Sequence, residues 1–140
     1  DAEDGIMAMD CAILGDSIAV GVAQQRAYCY RDAVGGINSR AYLGHVANLT
    51  ADHVLISLGS NDVASVDTQE NLLALRQRIH ATTVTWLLSS NKIHAHDAAK
   101  RMAEKFGDRV IEVRPYVGSD GVHPTGKGYR AIADQWLPVR

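Results

Sequence analysis

The sequence predicts an α/β domain in which a parallel sheet is covered by helices on both faces. Five short apolar runs, many of them rich in β-branched residues, alternate with segments of helical periodicity along the 140 residues. The runs lack the strict polar–apolar alternation of a sheet with one face in water, so they indicate strands buried on both faces. Regular alternation of strand and helix implies right-handed crossovers between parallel strands.

The predicted strands lie at 11–14, 28–30, 54–58, 84–88 and 110–113. Two helices with weaker periodicity are expected at about 18–26 and 40–48. Asp67 and Glu70 have capping-box spacing, which predicts the start of a helix that extends to about residue 80. An apolar stripe over 98–106, followed by Gly107, predicts the next helix, and the spacing over 129–136 predicts the last.

Composition excludes several classes of protein. The length fits one domain over residues 1–140, because independently folding domains usually have ~100–200 residues. Fourteen basic and sixteen acidic side chains give a net charge of −2, so no basic excess favours binding to nucleic acid. No segment approaches the ~18 consecutive apolar residues of a membrane span.

Cys11 and Cys29 are too few for a disulfide scaffold. They fall on adjacent predicted strands at similar heights, where a bridge would strain the geometry, so we expect two buried free thiols. The sequence begins with Asp1 rather than Met, which is consistent with removal of a signal peptide. We therefore expect a secreted or periplasmic location.

Polar, glycine-containing motifs follow four of the five predicted strands. They are Gly15-Asp16-Ser17, Gly35-Gly36-Ile37-Asn38-Ser39, Gly59-Ser60-Asn61-Asp62 and Asp120-Gly121-Val122-His123. Because ligands bind at the carboxyl ends of strands in open α/β sheets, the fold should bring these motifs together. Each motif alone is also compatible with an ordinary turn or helix cap, and their joint occurrence is what favours a functional site.

The motifs contain the side chains that acyl transfer requires. Ser17 is a candidate nucleophile, which needs a base such as His123 and a group such as Asp120 to orient that base. The backbone N–H groups of Ser17 and Gly36 and the side-chain amide of Asn61 are candidate donors to an oxyanion. Gly35 is an alternative to Gly36 in this role.

In this order, the four motifs resemble the nucleophile, glycine, Gly-x-Asn-Asp and Asp-x-x-His blocks of the SGNH (GDSL) serine hydrolases. The resemblance implies a flavodoxin-like three-layer α/β/α sandwich with a five-stranded parallel sheet. It also implies an ester hydrolase that needs neither a metal nor a cofactor. In this mechanism Ser17 forms the acyl-enzyme, His123 acts as base and then acid, and Asp120 orients His123. Asp16 and Asp62 are expected to brace their loops.

Short connections between the elements leave little material for a lid, which favours small acyl esters on a carbohydrate or cell-wall polymer. The alternatives are a lysophospholipase or thioesterase for longer acyl chains, and a non-catalytic carbohydrate-binding or interaction module. His94 and His96 form a His-x-His pair that we expect in the loop after the fourth strand. Lining a pocket rim is the preferred interpretation of this pair, and metal binding is the alternative.

Overall fold

A computed structural model describes residues 9–139, which form five strands, five α-helices and one 3₁₀ turn. In chain order these are β1 (Met9–Gly15), α1 (Ser17–Ala23), β2 (Tyr30–Ala33), α2 (Ser39–Tyr42), β3 (Leu49–Ser57), α3 (Thr68–Arg76), β4 (Ile79–Leu88), α4 (Ile93–Phe106), β5 (Arg109–Glu112), the 3₁₀ turn Arg114–Tyr116, and α5 (Gly126–Trp136). Strand and helix alternate throughout, as the sequence pattern predicts.

All five strands belong to one parallel sheet with the order β2-β1-β3-β4-β5. β1 lies between β2 and β3, and Ala12 is paired with Tyr30 on one side and with Val54 on the other. Chain order reverses at β1, because the crossover to β2 runs one way and the crossover to β3 runs the other. This is the switch point at which open α/β sheets form their sites.

The sheet separates two hydrophobic cores, which confirms the predicted three-layer fold. Ala12 and Leu14 of β1 point into the core shared with α2, α3 and α4, where Leu72 is fully buried. Cys11 and Ile13 point into the core shared with α1 and α5. Since alternate residues face different cores, both sets must be apolar, and this explains the unbroken apolar runs.

The elements differ from the predictions mainly at their ends. α3 ends at Arg76 rather than near residue 80, because Ile79 begins β4 and is paired with Leu49. β2 lies at 30–33 rather than 28–30, and α2 has only four residues. Among the helices of residues 9–139, none has the length and apolar character required to cross a bilayer.

Cys11 and Cys29 form a disulfide, so the expectation of free thiols is wrong. Their Cα atoms are 4.9 Å apart, a normal separation for a disulfide. Cys29 precedes the first residue of β2, and its backbone N–H donates to Arg26 rather than to a sheet partner. Because the ladder does not constrain its backbone, Cys29 can meet Cys11 without distorting paired strands.

We expect this disulfide to stabilise the fold by reducing the conformational freedom of the unfolded chain. A link between residues 18 positions apart should contribute about 3 kcal/mol to the free energy of unfolding. Urea unfolding of the oxidised wild type, the reduced wild type and a Cys11→Ala/Cys29→Ala variant would measure it. The reduced wild type and the double alanine variant should both unfold at a lower urea concentration than the oxidised wild type. Detection of two free thiols in the unreduced, denatured protein would contradict the assignment.

Candidate functional site

A tight turn places Ser17 at the carboxyl end of β1. Gly15 has φ = +136°, and a Cβ atom there would lie 1.9 Å from the carbonyl oxygen of Ser57, so the position requires glycine. Asp16 caps α1 by accepting a 3.0 Å hydrogen bond from the Ile18 N–H. Ser17 is therefore the first residue of α1. The close packing of Gly15 before it and the hydrogen bond from Ile18 to Asp16 around it fix its backbone.

The loop that carries His123 is closed by a short antiparallel bridge between Val117 and Pro124. Inside the loop, the Gly118 N–H donates to the carbonyl of His123 at 2.9 Å. From outside, the Ser90 hydroxyl donates to the carbonyl of Gly121 at 2.8 Å. These bonds tie the loop to the end of β4 and hold His123 over the sheet edge.

The two loops bring Ser17, His123 and Asp120 into one hydrogen-bonded chain. Ser17 Oγ lies 2.8 Å from His123 Nε2, and His123 Nδ1 lies 2.8 Å from Asp120 Oδ2. Asp120 Oδ1 also accepts the backbone N–H groups of Val122 and His123, each at 2.8 Å. The arrangement is open to solvent, since the side chains of His123 and Asp120 are 45% and 53% exposed.

The charge of Asp120 determines the direction of these hydrogen bonds. The hydrogen bond from His123, together with the two backbone N–H donors, lowers the pKa of Asp120 to about 2. At neutral pH its carboxylate can therefore only accept, so His123 Nδ1 must carry a proton. In the neutral imidazole, Nε2 is then the acceptor, and the Ser17 hydroxyl donates to it. This is the tautomer that a general base for Ser17 requires.

Candidate oxyanion donors border Ser17. Among residues 9–139, no acceptor is bonded to the backbone N–H of Ser17, Gly35 or Gly36. Gly36 has φ = +79°, whereas a Cβ at Gly35 would lie 3.9 Å from the Ser17 Cβ atom. The Asn61 amide donates one N–H to the carbonyl of Ile37 at 3.0 Å and keeps a second N–H for a ligand. Gly35 and Gly36 therefore both remain candidates for the backbone donor.

Asp62 braces the loops around this site, as expected for it. It is fully buried, and it accepts from the backbone N–H and hydroxyl of Ser39 at 2.8 and 2.6 Å. The Thr68 hydroxyl donates to it at 2.5 Å, and Asn71 donates to the Ser39 hydroxyl at 3.0 Å. One carboxylate therefore joins α2, α3 and the loop after β3. The sequence analysis placed Ser39 in a motif but gave it no bracing role, and it missed Thr68 and Asn71, because nothing local distinguishes them from surface polar residues.

Asp16 also braces its loop, but it remains incompletely bonded. Its Oδ1 accepts from Ile18 and from the Ser57 hydroxyl, each at 3.0 Å, whereas Oδ2 is buried with no partner among the described residues. Burial raises the pKa of Asp16 to about 6, despite the opposing effect of these hydrogen bonds. Ser57, the polar end of the apolar run in β3, is a further bracing residue that the sequence analysis missed.

His94 and His96 lie in the first turn of α4, not in the loop where they were expected. Residues two apart on a helix point in different directions. His94 lies on the rim of a groove, whereas His96 contacts Asp97 and Glu112, each at 3.0 Å. Burial lowers the pKa of His96, but these two carboxylates outweigh it and raise the pKa above its ordinary value. Residues 9–139 contain no cluster of three His, Cys, Asp or Glu side chains suited to a metal ion.

The fold is similar to those of several solved esterases and of one O-acetyltransferase domain. The catalytic domain of a peptidoglycan O-acetyltransferase from Streptococcus pneumoniae matches 92% of this chain and 90% of its own, with a TM-score of 0.62 and 13% identity. An inhibitor-bound aryl esterase from M. smegmatis matches 91% and 98%, with a TM-score of 0.61 and 15% identity.

A carbohydrate acetylesterase from Sinorhizobium meliloti matches 91% of this chain and 96% of its own, with a TM-score of 0.56 and 12% identity. No protein-family model and no curated protein matches the sequence. At these identities the likeness concerns the fold: the chain has the three-layer α/β/α fold of these enzymes, which is the fold that the resemblance to the SGNH hydrolases implies.

We expect Asp16 to make the folded state less stable as the pH rises. Its pKa is raised from 3.8 to about 6, so its contribution is full below pH 3.8 and is lost as the pH passes 6. The resulting decrease in the free energy of unfolding should approach about 3 kcal/mol. Asp16→Asn should flatten the pH dependence of urea unfolding between about pH 4 and pH 7.

Asp120→Asn is the matched control for this experiment. The pKa of Asp120 is lowered, so its contribution disappears only as the pH falls towards about 2. This variant should keep the wild-type slope between about pH 4 and pH 7. An Asp16→Asn variant with that same slope would show that Asp16 is not the titrating group.

Proposed function

We propose that this protein is a serine ester hydrolase that acts through an acyl-enzyme. The observation that carries the proposal is the hydrogen-bonded chain from Ser17 through His123 to Asp120. The similar folds of the two esterases and the O-acetyltransferase support it. In this proposal Ser17 is the nucleophile, His123 the general base and acid, and Asp120 the residue that orients His123.

The first half-reaction forms the acyl-enzyme. Ser17 Oγ attacks the ester carbonyl carbon while His123 Nε2 takes the hydroxyl proton, and the carbonyl electron pair moves to oxygen. When the tetrahedral intermediate collapses, the bond to the alcohol oxygen breaks and that oxygen receives the proton from Nε2. The Asp120 carboxylate stabilises the imidazolium that exists between these two transfers.

The oxyanion of each intermediate needs preorganised donors. The backbone N–H groups of Ser17 and Gly36 and the second N–H of Asn61 fill this role in the proposal, with Gly35 as the alternative backbone donor. Support comes from their lack of acceptors among residues 9–139 and from the Ile37 carbonyl, which fixes the orientation of the Asn61 amide.

The second half-reaction releases the acyl group. Water attacks the acyl-enzyme carbonyl and gives a proton to His123 Nε2, and collapse returns that proton to Ser17 Oγ as the carboxylic acid leaves. A sugar hydroxyl in place of water would make the same step an acyl transfer. The O-acetyltransferase among the similar folds makes transfer the second candidate activity.

For the substrate, we propose a small acyl group, such as acetate, on a carbohydrate or cell-wall polymer. His123 and Asp120 are about half exposed, so the site can accept an ester on a large molecule. An open site covers few methylene groups, and each contributes only ~0.8 kcal/mol when it is buried. The fold also resembles that of a carbohydrate acetylesterase.

We also propose that the protein works in an oxidising compartment, secreted or periplasmic. The support is the Cys11–Cys29 disulfide, since structural disulfides persist outside the reducing cytosol.

We expect Ser17→Ala to abolish hydrolysis of p-nitrophenyl acetate and labelling by a fluorophosphonate, while thermal unfolding stays within a few degrees of wild type. The hydroxyl is the attacking group and contributes little to the core. Ser119→Ala, a change of the same size at an exposed serine whose hydroxyl has no hydrogen-bond partner among residues 9–139, is the control and should keep the labelling. Wild-type protein that is folded but neither labelled nor active would contradict the proposal and favour a non-catalytic binding module.

We expect kcat/KM to be highest for acetyl or butyryl esters and to fall beyond about eight carbons, because longer chains would leave their methylene groups in water. A p-nitrophenyl ester series from acetate to palmitate, measured below the micelle concentration, would show this. A steady rise towards palmitate would instead support the lysophospholipase or thioesterase alternative. Addition of a sugar acceptor, with mass spectrometry of the products, would separate transfer from hydrolysis.

A further inference from the structure

A groove on the surface of residues 9–139 lies beside the catalytic edge rather than on it. Its volume is about 530 Å³, within the ~300–1,000 Å³ that is typical of ligand sites. One wall is the loop that leads into α3, including Ala64, Ser65 and Asp67, and the other is α4. Neither Ser17 nor His123 lines it, so it is separate from the reacting atoms.

The groove is built into the same loop as the oxyanion candidate Asn61. Its wall begins at Ala64, three residues after Asn61. Thr68, another wall residue, donates to the buried Asp62 carboxylate at 2.5 Å. On the opposite wall, His94 lies in the first turn of α4, at the edge where β4 ends. The groove thus starts at the catalytic edge and runs along α4 away from it.

The α4 wall presents one continuous helix face. His94, Ala98 and Arg101 are four and three residues apart, and they extend over about 10 Å of the helix. Gln69 holds Arg101 in place, because the Nε–H of Arg101 donates a 2.6 Å hydrogen bond to the side-chain oxygen of Gln69. The two terminal nitrogens of Arg101 have no acceptor among residues 9–139 and can bind a ligand.

The lining combines donors, acceptors and small apolar surfaces. Ser65 and His94 are exposed, and their side chains have no hydrogen-bond partner within the described chain. Asp67 and Arg101 add an acceptor and a donor, while the exposed Ala64 and the half-buried Val66 offer C–H surface. Such a mixture suits a ligand whose groups both donate and accept, and it does not suit an acyl chain, which would desolvate these polar groups without replacing their bonds.

We propose that this groove binds the neutral sugar units of the substrate next to the acylated one. The inference rests on the proposed function, and it names the part of the substrate that lies beyond the reacting ester. Hydroxyl groups of the sugars pair with Ser65, His94 and Arg101, and the ring C–H faces lie on Ala64 and Val66. Ser17 follows β1, Asn61 follows β3 and His94 follows β4, and β3 lies between β1 and β4 in the sheet. A chain bound in the groove therefore extends toward the catalytic edge, where its ester can reach Ser17.

The test compares two substrates with the same acyl group. O-acetylated cello-oligosaccharides fill the groove, whereas p-nitrophenyl acetate does not reach it. Loss of one hydrogen-bonding group at a binding site commonly costs about tenfold in affinity. His94→Ala and Arg101→Ala should therefore lower kcat/KM for the longer oligosaccharides about tenfold, mainly through KM, and leave p-nitrophenyl acetate hydrolysis unchanged.

Lys100→Ala is the matched control, because Lys100 is an exposed cation on α4 that does not line the groove. It should leave both substrates unaffected. Binding of unacetylated cello-oligosaccharide to the Ser17→Ala variant, followed by NMR, should shift the amide signals of Ser65 and His94. That measurement does not depend on turnover, so it separates failure of this subsite from failure of the proposed reaction.

Three results would overturn the subsite. One is an equal loss of activity on both substrates in the groove variants. Another is no dependence of kcat/KM on oligosaccharide length in the wild type. The third is tighter binding of O-acetylated oligogalacturonate than of the neutral chain, which would show that Arg101 and His94 select an anion. An absence of activity on p-nitrophenyl acetate, with sugar binding intact, would contradict only the serine esterase proposal.

Discussion

The site depends on the burial of β1 on both faces and its pairing on both edges. One core buries the side chains of Ala12 and Leu14, and the other buries those of Cys11 and Ile13. The backbone of β1 is hydrogen-bonded to β2 on one edge and to β3 on the other. A strand held in this way cannot slip, because a shift of one residue would exchange its two apolar faces and break both ladders. The end of β1 is therefore a fixed point for the candidate nucleophile.

Around that fixed point, buried carboxylates hold the neighbouring loops and helices together. Asp62 gathers α2, α3 and the loop after β3 through three hydrogen bonds. Asp16 joins β1 to β3 through Ser57 and caps α1. Burial of such groups has a cost, visible in the raised pKa of Asp16, and the packed loops offset it. Asp120, which must stay ionised to orient His123, remains in water instead.

The edge has rigid parts and open parts, and this division fits the proposed action on esters of large molecules. Ser17 and Asn61 lie on loops that are bound to the buried sheet, whereas His123 is carried by an exposed loop held by one antiparallel bridge and the hydroxyl of Ser90. An ester on a bulky molecule can approach from solvent while the donors that receive it remain fixed. The groove along α4 is the proposed site for the rest of that molecule.

The sequence by itself determined the parallel α/β layers and the four motifs at the strand ends, because two-sided burial imposes unbroken apolar runs and tight turns require glycine. It could not determine where α3 ends, since Ile79 suits a helix face and a strand equally and only its pairing with Leu49 decides. The Cys11–Cys29 disulfide likewise depended on where the β2 ladder begins. The bracing partners of Asp62 and the groove beside α4 arise from residues far apart in the chain, so only packing in three dimensions decided them.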